Sequence, residues 1–153
     1  MKASVVKGMV LGSLVGIACG IGGFTFIYAK GASYLTDDAT ACANCHIMQD
    51  HYDAWLKSTH RSVATCNDCH TPDNIIAKSL VKADNGFWHS FAFTTGDYPD
   101  PLRIKARNRR VTENACLKCH QQIVHDIMAA PSGVHNAQAL SCVRCHSDVG
   151  HPR

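Results

Sequence analysis

CANCHIM, residues 42–48, is the stretch on which the reading of this chain turns, because its first five residues set a pattern that returns three times. CNDCH follows at 66–70, CLKCH at 116–120 and CVRCH at 142–146. Eight of the nine cysteines fall in these C-x-x-C pairs, and a histidine follows each pair at once. Two thiols two residues apart match the two vinyl-derived carbons of one haem, and the next side chain then stands beneath the iron, where an imidazole becomes an axial ligand. Cys42, Cys45, Cys66, Cys69, Cys116, Cys119, Cys142 and Cys145 are therefore read as covalent haem attachments. His46, His70, His120 and His146 are the axial candidates that the motifs supply.

Zinc and disulfides are the competing readings. The separation of Cys42, Cys45, Cys66 and Cys69 is close to a zinc-ribbon pattern. Zinc needs four ligands and has no use for a fixed histidine after every pair. Disulfides suit an exported chain but leave those histidines equally unexplained. With 10 histidines in 153 residues, four of four by chance has odds of roughly two in a hundred thousand. Aromatic residues make up only 7% of the chain and charged residues 18%, so side chains alone are short of core material. Four apolar macrocycles supply it. The fold class expected is mostly α with much loop, a tetrahaem c-type cytochrome domain built around its haems.

Outward from the motifs, residues 8–29 contain no charged residue, and about 20 helical residues span a bilayer. Lys2 and Lys7 precede the stretch, which keeps the short N-terminus in the cytoplasm and exports the rest. The apolar region of a cleaved signal peptide is shorter, about 7–15 residues, and Lys30 spoils the small-residue site near Ala29. Lipidation at Cys19 is disfavoured because the apolar run continues well past it. A cytoplasmic N-terminus and an uncleaved transmembrane anchor helix are expected within residues 1–33, with an exported tetrahaem domain over 34–153. Gly12, Gly16 and Gly20 recur every fourth residue and offer a flat strip where a second helix can approach, although glycine is common in membrane helices anyway. The formal charge of +3 is too small to argue for nucleic acid.

Two short intervals between motifs flank one long one, so the exported part reads as two dihaem modules, about 40–95 and 110–153. Asp37 and Asp38 are placed to start a short helix before the first motif. Residues 47–56 and 117–128 have weak helical periodicity, and 74–88 is the best amphipathic stretch. TGDYPDP at 95–101 is turn chemistry, and no alternating strand pattern convinces.

Six-coordinate iron needs a second axial ligand, usually His or Met. His60, in STHRS before the second motif, and His151, after the fourth, are the leading candidates. His125, His135 and His51 are weaker. Met48 lies two residues beyond His46, where it either takes the iron in place of His46 or packs in the core. The basic run RIKARNRR (103–110) reads first as a solvated face, and otherwise as a partner for propionates, anionic headgroups or an acidic protein.

Together, the N-terminal anchor, the four spaced motifs, CANCHIM, STH ahead of the second motif and KADNGFWHSFAF after it resemble the NapC/NirT family of quinol dehydrogenases. Within that family they are most similar to the small membrane-anchored subunits of cytochrome c nitrite reductases. The resemblance covers nearly the whole chain. It implies four covalently attached haem c groups, menaquinol as electron donor, and an inner-membrane, single-pass protein with its haem domain in the periplasm. It also implies a multihaem nitrite reductase catalytic subunit as partner, this chain not being the nitrite-reducing subunit itself. Donors to other periplasmic reductases, or a passive haem relay, are the alternative readings.

By the same resemblance Met48 rather than His46 ligates the first haem, His60 and His151 serve the third and second haems, and the fourth haem is open to a distal ligand from the partner. Lys82 lines the quinol site. His89 stands where some relatives carry Asp, which leaves open whether it caps the first iron or accepts a proton. From the residues themselves, His89 is a natural proton acceptor because imidazole titrates near pH 6.5, with Asp84 and Asp97 as alternatives. Lys82 either stabilises charge on a quinone oxygen or snorkels from an apolar helix face.

Overall fold

A computed structural model describes residues 3–129 and 141–152. His135, named above as a candidate ligand, lies outside the described residues. The chain divides into two compact units, residues 1–33 and 34–153.

The first unit is a single helix, α1 (Ala3–Tyr28). Its mean hydropathy of 2.0 makes it long and apolar enough to cross a membrane. Its side chains are exposed all round, from Leu11 and Leu14 to Phe24 and Ile27. A helix apolar on every side belongs in lipid rather than on a protein surface. Along the glycine strip, nothing lies within 4 Å of where a Cβ would stand at Gly12, Gly16 or Gly20.

The regular elements among the described residues of the second unit are all helices: α2 (Ala39–Cys42), α3 (Gln49–Lys57), α4 (Cys66–His70), α5 (Ile75–Thr95), α6 (Ala106–Ala129) and α7 (Cys142–Cys145). Short 3-10 turns cover His46–Met48 and Thr59–Ser62. Three of the starts have a local cause. Asp38 accepts from the Thr40 N–H and caps α2. Thr65 and Asp68 form a reciprocal capping box on α4. Asn74 accepts from the Ile76 and Ala77 N–H groups and opens α5, which ends at Gly96 in the left-handed region (φ 73°).

Three of the four haem motifs thus lie wholly or mostly in helices, and one helical turn holds the two thiols of a pair on neighbouring positions. The third motif is different: it sits inside the long α6, whose backbone leaves helical geometry at His120 (φ −107°, ψ 17°). The helix continues as far as Ala129, so the departure is a local kink at the candidate ligand.

The main packing contact is between α4 and α6, which sets the second motif against the third. Lys118 of α6 reinforces it with an ion pair to Asp73, 2.5 Å. Further along α6, Arg107 pairs with Asp84 of α5, and Asn108 donates to Asn85 at 3.1 Å. Among the described residues only Ala39 and Thr71 are buried.

Candidate functional site

The first thiols of neighbouring motifs lie side by side. Cys42 and Cys66 hydrogen-bond one another, which holds the Cys42 thiol down to about 7 and pushes Cys66 up. Cys116 and Cys142 are paired in the same way. Burial raises Cys116, while burial and then the Glu113 carboxylate push Cys142 up to about 11. The leading cysteines of the first two motifs thus meet, and so do those of the last two. None of the nine cysteines is joined to another in a disulfide. Among the described residues, no three His, Cys, Asp or Glu side chains converge as a metal-ion cage.

The histidines converge in pairs instead. The rings of His60 and His120 have centroids 6.2 Å apart, and those of His70 and His151 stand 5.9 Å apart and nearly parallel, at 12°. With metal–nitrogen bonds of about 2.0 Å and a ring centre about 1.1 Å behind its nitrogen, two imidazoles on opposite sides of one metal stand about 6.2 Å apart. Both pairs fit an iron between them, and both join a motif histidine to one of the leading distal candidates. Each pair also crosses from one dihaem module to the other. Burial, then His151 and His51, push the His70 imidazole down to about 4, which keeps it in the neutral form that binds metals.

His51 lies close by, its ring 4.7 Å from that of His151, and its buried Nδ1 has no hydrogen-bond partner. At the first motif, His46 is exposed while Met48 is half-buried. His125 is exposed and faces Asp126 at 3.5 Å.

Beside the first motif is a polar cluster that sequence reading only half found. Lys82 Nζ donates to the Thr36 carbonyl at 2.8 Å and to Asp37 at 2.7 Å. Lys78 binds the other oxygen of Asp37, at 2.5 Å. The two lysines hold the Asp37 carboxyl down to about 2. Asn67 donates to the Thr36 carbonyl at 3.1 Å and to Asp37 at 3.0 Å, which ties the second motif to the same point. Lys82 also lies near enough to Cys42 to favour its thiolate.

Two turns further along α5, the Tyr34 hydroxyl hydrogen-bonds His89 Nδ1 at 3.0 Å. The protein around the His89 ring, then Lys105, push its pKa below the ordinary imidazole value, and Asp84 opposes them. Asp84 itself is held by Arg107. Lys105 lies 5.0 Å from the Trp88 ring centre, a cation–π contact that covers the side of α5 next to His89. Asp37, Tyr34 and Glu113 were not picked as site residues from the sequence. Asp37 carried only a helix-start signal, and the other two carried none, because their partners are 28 to 55 residues away.

Comparison with known proteins identifies the relatives of this chain. The cytochrome c-type protein NrfH of Wolinella succinogenes is 34% identical over 154 residues, covering 95% of this chain and 87% of its own length. The cytochrome c nitrite reductase subunit NrfH of Nitratidesulfovibrio vulgaris is 30% identical over 125 residues, covering 82% and 74%. Among solved structures, a chain of the cytochrome c nitrite reductase NrfHA complex bound to the HQNO inhibitor aligns with a TM-score of 0.64 at 27% identity, over 97% of this chain and 90% of that one. The model of the NapC/NirT cytochrome c family, N-terminal region, matches residues 2–153. The four C-x-x-C-H motifs fall within that match, and the chain belongs to the NapC/NirT cytochrome c family.

Proposed function

We propose that this chain oxidises menaquinol at the outer surface of the bacterial inner membrane and delivers the electrons to the multihaem catalytic subunit of a nitrite reductase. The observation that carries this reading is the polar cluster beside the first motif: Lys82 and His89 lie two turns apart on α5, each fixed by a residue of the 34–37 lead. The partner follows from the relatives, two of which are NrfH proteins and one of which is a chain of the NrfHA complex.

When bound, the four haems supply a chain of one-electron carriers. Cys42, Cys45, Cys66, Cys69, Cys116, Cys119, Cys142 and Cys145 hold them. His70 with His151, and His120 with His60, would hold two of the irons, a reading their ring separations support. Met48 would hold the iron at the first motif, being half-buried where His46 is exposed. His146 serves the fourth.

The chemistry left to the rest of the chain is that of protons and charge. Menaquinol oxidation releases two protons, and these need acceptors within hydrogen-bond reach. His89 is the acceptor: its Nδ1 is engaged by Tyr34, which leaves Nε2 for the substrate. Lys82 uses two of its three donors on Thr36 and Asp37, and the third is available to a quinone oxygen. Asp84 acts through its charge, since Arg107 occupies its carboxylate. The glycine strip of α1 is the face for association with a second anchor helix, and Gly16→Leu should then change the size of the complex in detergent.

The test is turnover of the purified, haem-loaded chain with a menaquinol analogue. Wild type should oxidise it, and HQNO should inhibit. Lys82→Met and His89→Asn should each lower the rate at least tenfold with four haems still attached. Normal turnover by both variants would remove the quinol site from α5. With the catalytic subunit and nitrite added, sustained turnover is expected, and its absence would redirect the electrons to another reductase.

A further inference from the structure

Tyr34 is the one side chain of the 34–37 lead that reaches the far end of the polar cluster. Its ring packs over Gly86, with the nearest ring carbon 3.5 Å from where a Cβ would stand. Gly86 lies one helical turn before His89, so the phenol packs against the face of α5 that carries the imidazole. The hydroxyl then meets His89 Nδ1 at 3.0 Å, with the two rings tilted at 51°. Tyr34 is half-buried. Burial pushes the phenol up from its ordinary value, so it stays neutral and can both donate and accept.

From this contact we infer that Tyr34 is a positioning residue for quinol oxidation, its phenol oxygen accepting Nδ1–H of His89 so that a bare Nε2 is presented to the quinol hydroxyl. The inference rests on the quinol-oxidising reading given above. The proton step balances simply. The quinol O–H bond breaks, its electron pair stays on the quinol oxygen, and an Nε2–H bond forms. The imidazolium so made keeps its Nδ1–H on the phenol oxygen. One electron leaves with this proton; once Nε2 has passed it to solvent, the same nitrogen takes the proton of the second hydroxyl as the second electron leaves, both electrons going one at a time to acceptors of the c-type haem class.

The phenol suits this task better than a carboxylate would. A carboxylate on Nδ1 would stabilise the imidazolium and retain the proton. A neutral oxygen fixes the tautomer and lets the proton go on. The charges that face His89 are Lys105, from the segment ahead of α6, and Asp84 on α5 itself. They oppose one another, which leaves the orientation of the ring to Tyr34.

The experiment compares wild type, Tyr34→Phe, His89→Ala and the double variant, all as full-length, haem-loaded protein oxidising a menaquinol analogue. Phenylalanine keeps the ring over Gly86 and removes only the hydroxyl. The expected result is a kcat reduced roughly tenfold in Tyr34→Phe with KM within about twofold, and a double variant no slower than His89→Ala alone. Losses that multiply in the double variant would show Tyr34 acting independently of His89 and overturn the inference. An unchanged kcat in Tyr34→Phe would do so too, as would a drop in haem content or an altered Soret spectrum, which would make the hydroxyl merely structural. A wild-type chain that oxidises no menaquinol would instead remove the quinol reading itself, and so the two failures are distinct.

Discussion

At the scale of single residues, the cysteines and histidines were legible because covalent haem attachment fixes both residue type and spacing within five positions. Asp37 was not, because its importance depends on Lys78 and Lys82 folding back from α5, which no local pattern announces. Its effect on stability can be predicted with a definite sign. The Asp37 carboxyl falls from its ordinary 3.8 to about 2 in the folded chain. Stabilisation from a depressed acid is complete above the unfolded value and is lost as pH falls through the folded one. Asp37→Asn should therefore lower the melting temperature of the loaded protein at neutral pH, and the difference from wild type should shrink between about pH 4 and pH 2. The effect should be small and weakened by salt, because half of the Asp37 side chain is exposed. Melting curves across that pH range check it, and a difference that persisted at pH 2 would mean the lysines act through something other than Asp37.

At the scale of elements, caps and turns were read more successfully than lengths. The polar lead with Asp38 and the turn chemistry after Thr95 are where α2 begins and α5 ends. The start of α6 was missed: periodicity suggested a helix from 117, yet α6 begins at Ala106. Its first turns are RNRR, a run with no apolar stripe to give a period, and they are held instead by the Asp84 and Asn85 contacts from α5. The fourth motif is held from a distance in the same way. Glu113 of α6 accepts from Ser141 Oγ and, at 2.7 Å, from the Cys142 N–H, so a carboxylate from the third motif's helix caps the start of α7. A four-residue helix has little else to define its first turn. Glu113→Ala should destabilise the loaded protein by about 1 kcal/mol, as loss of a cap does. Asn74→Ala, which removes the cap of α5, should cost about the same. The two should differ in where the loss is felt. Hydrogen exchange should quicken near residue 142 in the first variant and near residues 76 and 77 in the second. If Glu113→Ala loosened only α6, the proposed bridge between the third and fourth motifs would be wrong.

At the scale of the whole molecule, what the sequence established was a shortage. It has few aromatic side chains, many cysteines and histidines, and no convincing strand. The described residues bury only Ala39 and Thr71, while Ile75, Ile76, Leu80 and Phe87 of α5 remain exposed. A domain of this length ordinarily buries well over half the surface of its unfolded chain, and burial on that scale is what offsets the entropy of ordering the backbone. The second unit does not reach it with amino acids alone. Its helices are set by caps, ion pairs and paired histidines, which fix geometry more than they supply free energy. The apolar faces of four covalently bound haems are what its side chains lack. It follows that the chain synthesised without haem attachment should keep α1 in membranes or detergent but lose the rest. Far-UV circular dichroism should fall toward the signal of the anchor helix, and amides of α3 to α7 should exchange at unprotected rates. Removing one attachment pair should be graded by position. Cys69→Ser with Cys66→Ser strikes the α4–α6 contact and the His70–His151 pair together, so it should be worse than Cys142→Ser with Cys145→Ser, which leaves both histidine pairs standing. If the haem-free chain held its exchange protection across α4 and α6, the cofactor would be a passenger in a fold that the polypeptide makes for itself.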